Sequence, residues 1–391
     1  MIDYSKILSD TVQNVKPSGI RKFFDIAATM DDVISLGVGE PDFQTPWSVR
    51  KAGITSLEKG KTKYTSNSGL EELRQEISNY INRKCGINYN PAGEILISVG
   101  GSEAIDATLR AIISNGDEVI IPQPSYVCYE PITKISGGVP VIIETLAEND
   151  FKVTPEQLRN AISDKTKALI LPYPCNPTGA IMERADLEAL AEVLRDTNIL
   201  VISDEIYSEL TFSKEPHISI ASIDGMKERT ILINGFSKSF SMTGWRLGYA
   251  CGPREIISQV TKIHQFAIMC APTTAQYAAI EALRNCDDAV TAMKAEYNRR
   301  RRLMVKGFNE AGLACREPKG AFYAFPCIKS TGMTSDEFCE KLLESKRVAV
   351  VPGTAFGKGG EGFIRASYCY STEHILEALK RIEEFVKEIK K

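Results

Sequence analysis

At 391 residues the chain is long enough for more than one hydrophobic core, and its 43% hydrophobic and 25% charged residues lie near the average of soluble proteins. That composition excludes a disordered, collagen-like or coiled-coil chain. Forty-seven Lys and Arg against 50 Asp and Glu leave a net charge of −3, and no basic stripe marks a nucleic-acid footprint.

The segment Met1 to Lys16 alternates polar and apolar residues and lacks the charged, then apolar, then small order of a secretory signal. No apolar run is long enough to cross a bilayer, so no membrane partner is expected. The ten cysteines, among them Cys85, Cys128, Cys175, Cys251, Cys270 and Cys369, show no short paired spacing of zinc or redox type. They read as buried reduced thiols, no metal is expected, and a cytoplasmic location follows.

From about Asn90, short β-rich runs alternate with helical patterns. The runs are Glu94 to Val99, Glu118 to Pro122, Val139 to Glu144, Ala168 to Leu171, Leu200 to Ser203 and Thr230 to Ile233. Several are apolar almost throughout, as strands covered on both faces are. Segments with helical spacing, such as Ser102 to Ser114 and Arg184 to Asp196, lie between them. The fold class is therefore α/β, with a mostly parallel sheet whose strand ends hold the chemistry.

After about Asn285 the texture changes. A long charged helix, Asp287 to Ala311, precedes Gly320 to Pro326, strands at Val348 to Val351 and Phe363 to Ser367, and a closing helix, Thr372 to Ile389. This reads as a smaller α+β domain. The expected division is 46–285 for the large domain and 1–45 with 286–391 for the small one. The run Arg299 to Arg302 spreads around a helix's full circumference and reads as solvated or salt-bridged surface.

The strongest chemical signal is the loop Gly235 to Gly248, directly after the apolar run Thr230 to Ile233. Lys238 stands there between the small residues Ser237 and Ser239, with Arg246 eight positions on. A lone lysine is usually a snorkelling side chain. In this company, an amine and a fixed cation could converge on one phosphorylated aldehyde.

Here the sequence resembles the class I aminotransferases of fold type I, which depend on pyridoxal 5′-phosphate (PLP) and carry a lysine in a small-residue loop followed by Gly-x-Arg and Gly. The resemblance spans nearly the whole chain. It includes Ser35 to Phe43, Tyr64 to Gly69, Gly100-Gly101-Ser102, Asn176-Pro177-Thr178-Gly179, Ser203 to Tyr207, and Arg365. It implies a large PLP-binding domain, a smaller domain and a homodimer. It makes Lys238 the covalent anchor of the cofactor and the base, with Asp204 and Tyr207 completing the catalytic group.

Each motif has a physical reason. PLP withdraws electrons only while its ring nitrogen stays protonated, so a carboxylate is needed there, and Asp204 is the candidate. An Asp after a strand also serves as a helix cap. Tyr207 and Asn176 hold the ring's phenolic oxygen. Gly100-Gly101-Ser102 opens a helix whose N-H groups face a phosphate, although a glycine pair also serves tight packing. Ser237 and Arg246 add a hydroxyl and a charge, and by resemblance Tyr64 reaches in from the neighbouring subunit. Many relatives have a serine three residues before the lysine, where this chain has Gly235.

Resemblance assigns the planar lid over the ring to Tyr126, a residue that core packing also accounts for. Arg365, among apolar neighbours, needs an anionic partner: a substrate α-carboxylate bound through two parallel hydrogen bonds, or a structural salt bridge. Asn176 and the Gly37 to Gly39 loop complete the expected substrate contacts, with Gly39 among them. The words Ser18 to Phe23, Leu171 to Pro174, Ser203 to Leu210 and Gly332 to Ser335 look most like γ-branch aspartate aminotransferases, including N-acetyl-diaminopimelate and aromatic aminotransferases.

The expected reaction is a ping-pong transfer of an amino group from an aspartate-like or aromatic L-amino acid to a 2-oxo acid such as 2-oxoglutarate. Two alternatives use the same fold and residues: a carbon-sulfur β-lyase of cystathionine type, and a non-catalytic PLP-binding regulatory protein.

Overall fold

The computed structural model describes residues 2–17, 19 and 30–389. Among the described residues the strands are β1 Ile34–Ser35, β2 Ile95–Ser98, β3 Glu118–Gln123, β4 Val139–Glu144, β5 Thr166–Leu171, β6 Leu200–Asp204, β7 Thr230–Gly235, β8 Gly248–Cys251, β9 Tyr323–Ala324, β10 Val348–Ala349, β11 Val351–Pro352 and β12 Ile364–Ser367. Of the resemblance word Ser18 to Phe23, only Gly19 falls within the described residues.

Seven strands form the main sheet in the order β2-β8-β7-β6-β5-β3-β4. Every pairing is parallel except those of β8, which runs against β2 and β7. Ala168 to Leu171 of β5, Val201 to Asp204 of β6 and all of β7 are buried, which explains the mainly apolar sequence of these strands. The helices Gly101–Ile112 and Arg184–Leu194 fall where helical spacing places them and bury their apolar stripes against opposite faces of the sheet.

The last third builds a second layer. β11, β12 and β9 form a small antiparallel sheet, and β1 pairs in parallel with β10. The long helix Asp287–Glu310 and the closing helix Thr372–Ile389 pack together over this layer, sharing a core that includes Tyr297, Phe308, Phe338, Ile382 and Leu36. Thus the segment around Leu36 joins the C-terminal layer.

Two expectations need correction. Val348 to Val351 is not one strand: β10 and β11 belong to different sheets, because Val348 and Ala349 bond to β1 while Val351 turns to face Arg365 on β12. The arginine run is only half a surface feature. Arg299 and Arg302 are exposed, but Arg300 and Arg301 are buried. Arg300 binds both Asp42 and Glu296, and Arg301 binds Glu317 and the Pro318 carbonyl, so charge pairing offsets their burial.

Candidate active site

The carboxyl ends of the parallel strands converge on one cavity of about 330 Å³. β6 delivers Asp204, the turn after β7 delivers Ser237 and Lys238, the turn after β5 leads to Asn176, and Gly101 and Ser102 open the helix after β2. Gly37, Val38 and Gly39 come from the segment after β1, and Arg365 comes from β12, so both layers line the space.

The Lys238 ammonium donates to the Gly39 carbonyl at 2.7 Å. Burial pulls its pKa from 10.5 to about 8, and the nearby Arg365 and Arg246 guanidiniums push the same way against Cys369 and Glu40. The amine is therefore far easier to deprotonate than an ordinary lysine.

Asp204 is buried. Its Oδ1 accepts the Ile206 N-H at 3.2 Å, the local bond expected of a capping residue, while Oδ2 accepts the Tyr129 hydroxyl at 2.7 Å. Burial raises its pKa, and the two hydrogen bonds resist the rise. A cationic N-H placed beside it would stabilise the carboxylate and be stabilised in turn.

The Tyr207 hydroxyl lies 2.8 Å from that of Tyr323. The Tyr323 ring stacks under the Arg365 guanidinium at 4.4 Å, and Phe356 flanks it at 4.7 Å. Arg365 donates to Asn176 Oδ1 at 2.8 Å and to the Gly37 carbonyl. Its Nε is buried without a partner, and no carboxylate among the described residues pairs with it. The expected alternative, a structural salt bridge, is thus not what holds this side chain.

At the other end, the Arg246 guanidinium lies so close to Gly100 that a Cβ there would come within 2.8 Å of it. Gly100 also takes φ +81°, so this turn needs glycine on two counts. Ser102, Ser237 and Thr243 line the same region, and position 235 contributes no side chain. Tyr126 lines the cavity edge-on to Tyr129, with ring centroids 5.8 Å apart. Two expected residues do not line the cavity: Gly100, which instead backs the Arg246 guanidinium, and Tyr64, which is 82% exposed.

The donor set suits a phosphorylated pyridine aldehyde. It offers hydroxyls, a guanidinium and a helix N-terminus at one end, a buried carboxylate, a readily deprotonated amine, and a second guanidinium with a free N-H. Sequence reasoning missed Tyr129 and Tyr323. Tyr129 opens the helix Tyr129–Ile135 and carries no motif of its own, and Tyr323 sits in an aromatic run that reads as core.

The sequence profile of the family described as Aminotransferase class I and II matches residues 31–382. The chain belongs to this family. As a class I/II aminotransferase it is a PLP-dependent transaminase, and neither the carbon-sulfur lyase nor the regulatory reading is favoured. A Bacillus subtilis (strain 168) protein named only as an aminotransferase, YugH, is 52% identical over 97% of this chain and 98% of its own length. An aspartate aminotransferase of Pyrococcus abyssi is 47% identical over 98% of this chain and 99% of its own. The crystal structure of an aromatic aminotransferase from Pyrococcus horikoshii superposes with a TM-score of 0.90 at 44% identity, covering 95% of this chain and 99% of that one.

Proposed function

We propose that this aminotransferase moves the amino group of an aspartate-like or aromatic L-amino acid to a 2-oxo acid such as 2-oxoglutarate by a ping-pong mechanism. The observation that carries the proposal is the buried, carboxylate-free Arg365, with its unpaired Nε, in the same cavity as the Lys238 amine. An α-carboxylate is the group that a planar guanidinium binds through two parallel bonds.

When bound, PLP supplies the electron sink that stabilises negative charge at the substrate Cα. The chain does the rest. Lys238 anchors the cofactor, then takes the Cα proton on Nζ and returns it, a task suited to an amine with pKa about 8. Asp204 would hold the proton on the ring nitrogen, and Tyr207 with Asn176 would bind the ring's phenolic oxygen. Gly100, Gly101, Ser102, Ser237 and Arg246 would grip the phosphate, and Tyr126 would cover the ring. Arg365, Asn176 and the Gly39 backbone orient the substrate and help exclude water.

A homodimer is part of the same proposal, with Tyr64 reaching into the partner's phosphate site. An exposed apolar set supports it: Trp47, Leu57 and Tyr64 stand open, as does Phe266 at 83% exposure. The division into 46–285 and 1–45 with 286–391 is supported by the pairing of β1 with β10. A cytoplasmic location is supported by ten free cysteines and by the absence, among the described residues, of any helix long and apolar enough to cross a membrane.

The test is a transamination screen of amino acids against 2-oxoglutarate and oxaloacetate, with Lys238→Ala as control. Amino transfer from aspartate or an aromatic donor that vanishes in the control supports the proposal. Release of ammonia and pyruvate without an acceptor, or turnover by Lys238→Ala at the wild-type rate, contradicts it.

A further inference from the structure

Behind the proposed phosphate turn lie a partly buried acid and a fully buried imidazole that the reaction does not use. Glu103 is the third residue of the helix Gly101–Ile112 and the acidic member of its first turn. One carboxylate oxygen accepts the Val99 N-H at 3.0 Å, and the other lies 3.1 Å from Nδ1 of His264. His264 comes from the neighbouring helix Arg254–Ile268 and has no exposed side-chain surface. A carboxylate only accepts, so Nδ1 is the donor. The ring's other nitrogen, Nε2, is buried without a partner, which leaves Glu103 as its polar tether.

This arrangement is costly unless it does something. Burying an imidazole with half its polar capacity unmet costs free energy that a leucine in its place would not. A carboxylate in the first turn also competes with a bound phosphate for the helix's positive end. Here its two oxygens are committed to Val99, immediately before Gly100, and to His264. The pair thereby fixes the backbone direction entering Gly100-Gly101-Ser102.

We infer that Glu103 and His264 are positioning residues that set the Val99–Ser102 turn for a phosphate monoester and act on the phosphate end of the cofactor alone. The inference rests on the reading that this turn, with Arg246, grips the phosphate.

The test measures cofactor loss from the holoenzyme after dilution into a trapping excess, for enzyme loaded with PLP and for enzyme loaded with phosphate-free pyridoxal. His264→Leu is expected to release PLP about tenfold faster, the scale of one hydrogen bond to a charged group, with pyridoxal release unchanged. His264→Asn, whose amide still donates toward Glu103, is expected to restore slow PLP release. Wild-type PLP release from His264→Leu overturns the inference, as does equal acceleration for both cofactors, which would mark a merely structural role. If His264→Leu does not fold, Glu103→Ala is read in the same way. Arg246→Gln separates the two layers of reasoning. Should it leave the preference for PLP over pyridoxal intact, the phosphate site itself is misplaced and both readings fall. Should it abolish the preference while His264→Leu is silent, only the positioning pair is refuted.

Discussion

The lowered pKa of Lys238 makes a quantitative prediction about how fast the protein captures its cofactor. Only the neutral amine attacks an aldehyde, so the capture rate follows the neutral fraction. With the pKa pulled to about 8 by burial, roughly one molecule in eleven carries a neutral amine at pH 7. A solvent-exposed lysine at 10.5 would offer about one in 3,000, a difference of about 300-fold. Stopped-flow absorbance of PLP mixing with cofactor-free protein, repeated from pH 6 to pH 11, reads this directly. The rate should climb roughly tenfold per pH unit below about pH 8 and level off above it. Glu40→Gln should shift the break to lower pH, because the Glu40 charge favours the ammonium. A rate that keeps rising through pH 10 would show the amine titrating as though in water, against a buried Lys238.

The same shift bears on stability. A lysine depressed on folding penalises the native state fully below about pH 8, and the penalty fades as pH rises toward the unfolded value of 10.5. Cofactor-free Lys238→Met should therefore gain on the wild type at neutral pH, by up to about 3 kcal/mol in denaturant titrations, and lose that gain by high pH. Arg365→Lys keeps the charge but not the fork. It should lower kcat/KM for α-amino acids by about 100-fold or more, and steady-state kinetics should show a far smaller loss for amines lacking the carboxylate. Tyr129→Phe removes a 2.7 Å bond that holds the Asp204 carboxyl down, so the acid limb of the kcat profile against pH should move upward. An unmoved limb would contradict that role. In Gly39→Ala the new Cβ would fall 1.9 Å from Tyr323 Oη, so catalytic efficiency should drop sharply, and Tyr323→Ala in the same chain should recover part of it.

Much of the fold is legible because the central strands are buried on both faces, so β5, β6 and β7 carry apolar stretches such as Ala168 to Leu171 and Ile231 to Ile233. The closing helix was legible to its ends, Thr372–Ile389, because its apolar stripe repeats cleanly. The small strands were not. β10 and β11 are two residues each, too short for a period, and only tertiary pairing separates them. Arg300 and Arg301 were misjudged for a related reason: a charged run says nothing of the partners, such as Asp42, that the fold brings from far along the chain. In the site, Lys238, Asp204, Asn176, Tyr207, Arg246 and Arg365 announce themselves through reactive side chains beside glycine, proline or strand ends. Tyr129, Tyr323 and His264 do not. Their work is to orient other groups, and a buried phenol or imidazole on a helix or in an aromatic run has the sequence texture of core.

In the proposed reaction the ε-nitrogen of Lys238 carries the cofactor. Reducing the holoenzyme with borohydride and mapping the peptides by mass spectrometry reads that bond. A phosphopyridoxyl group on Lys238 and on no other lysine is the predicted result, whereas an unmodified Lys238, or the label on another lysine, would contradict it.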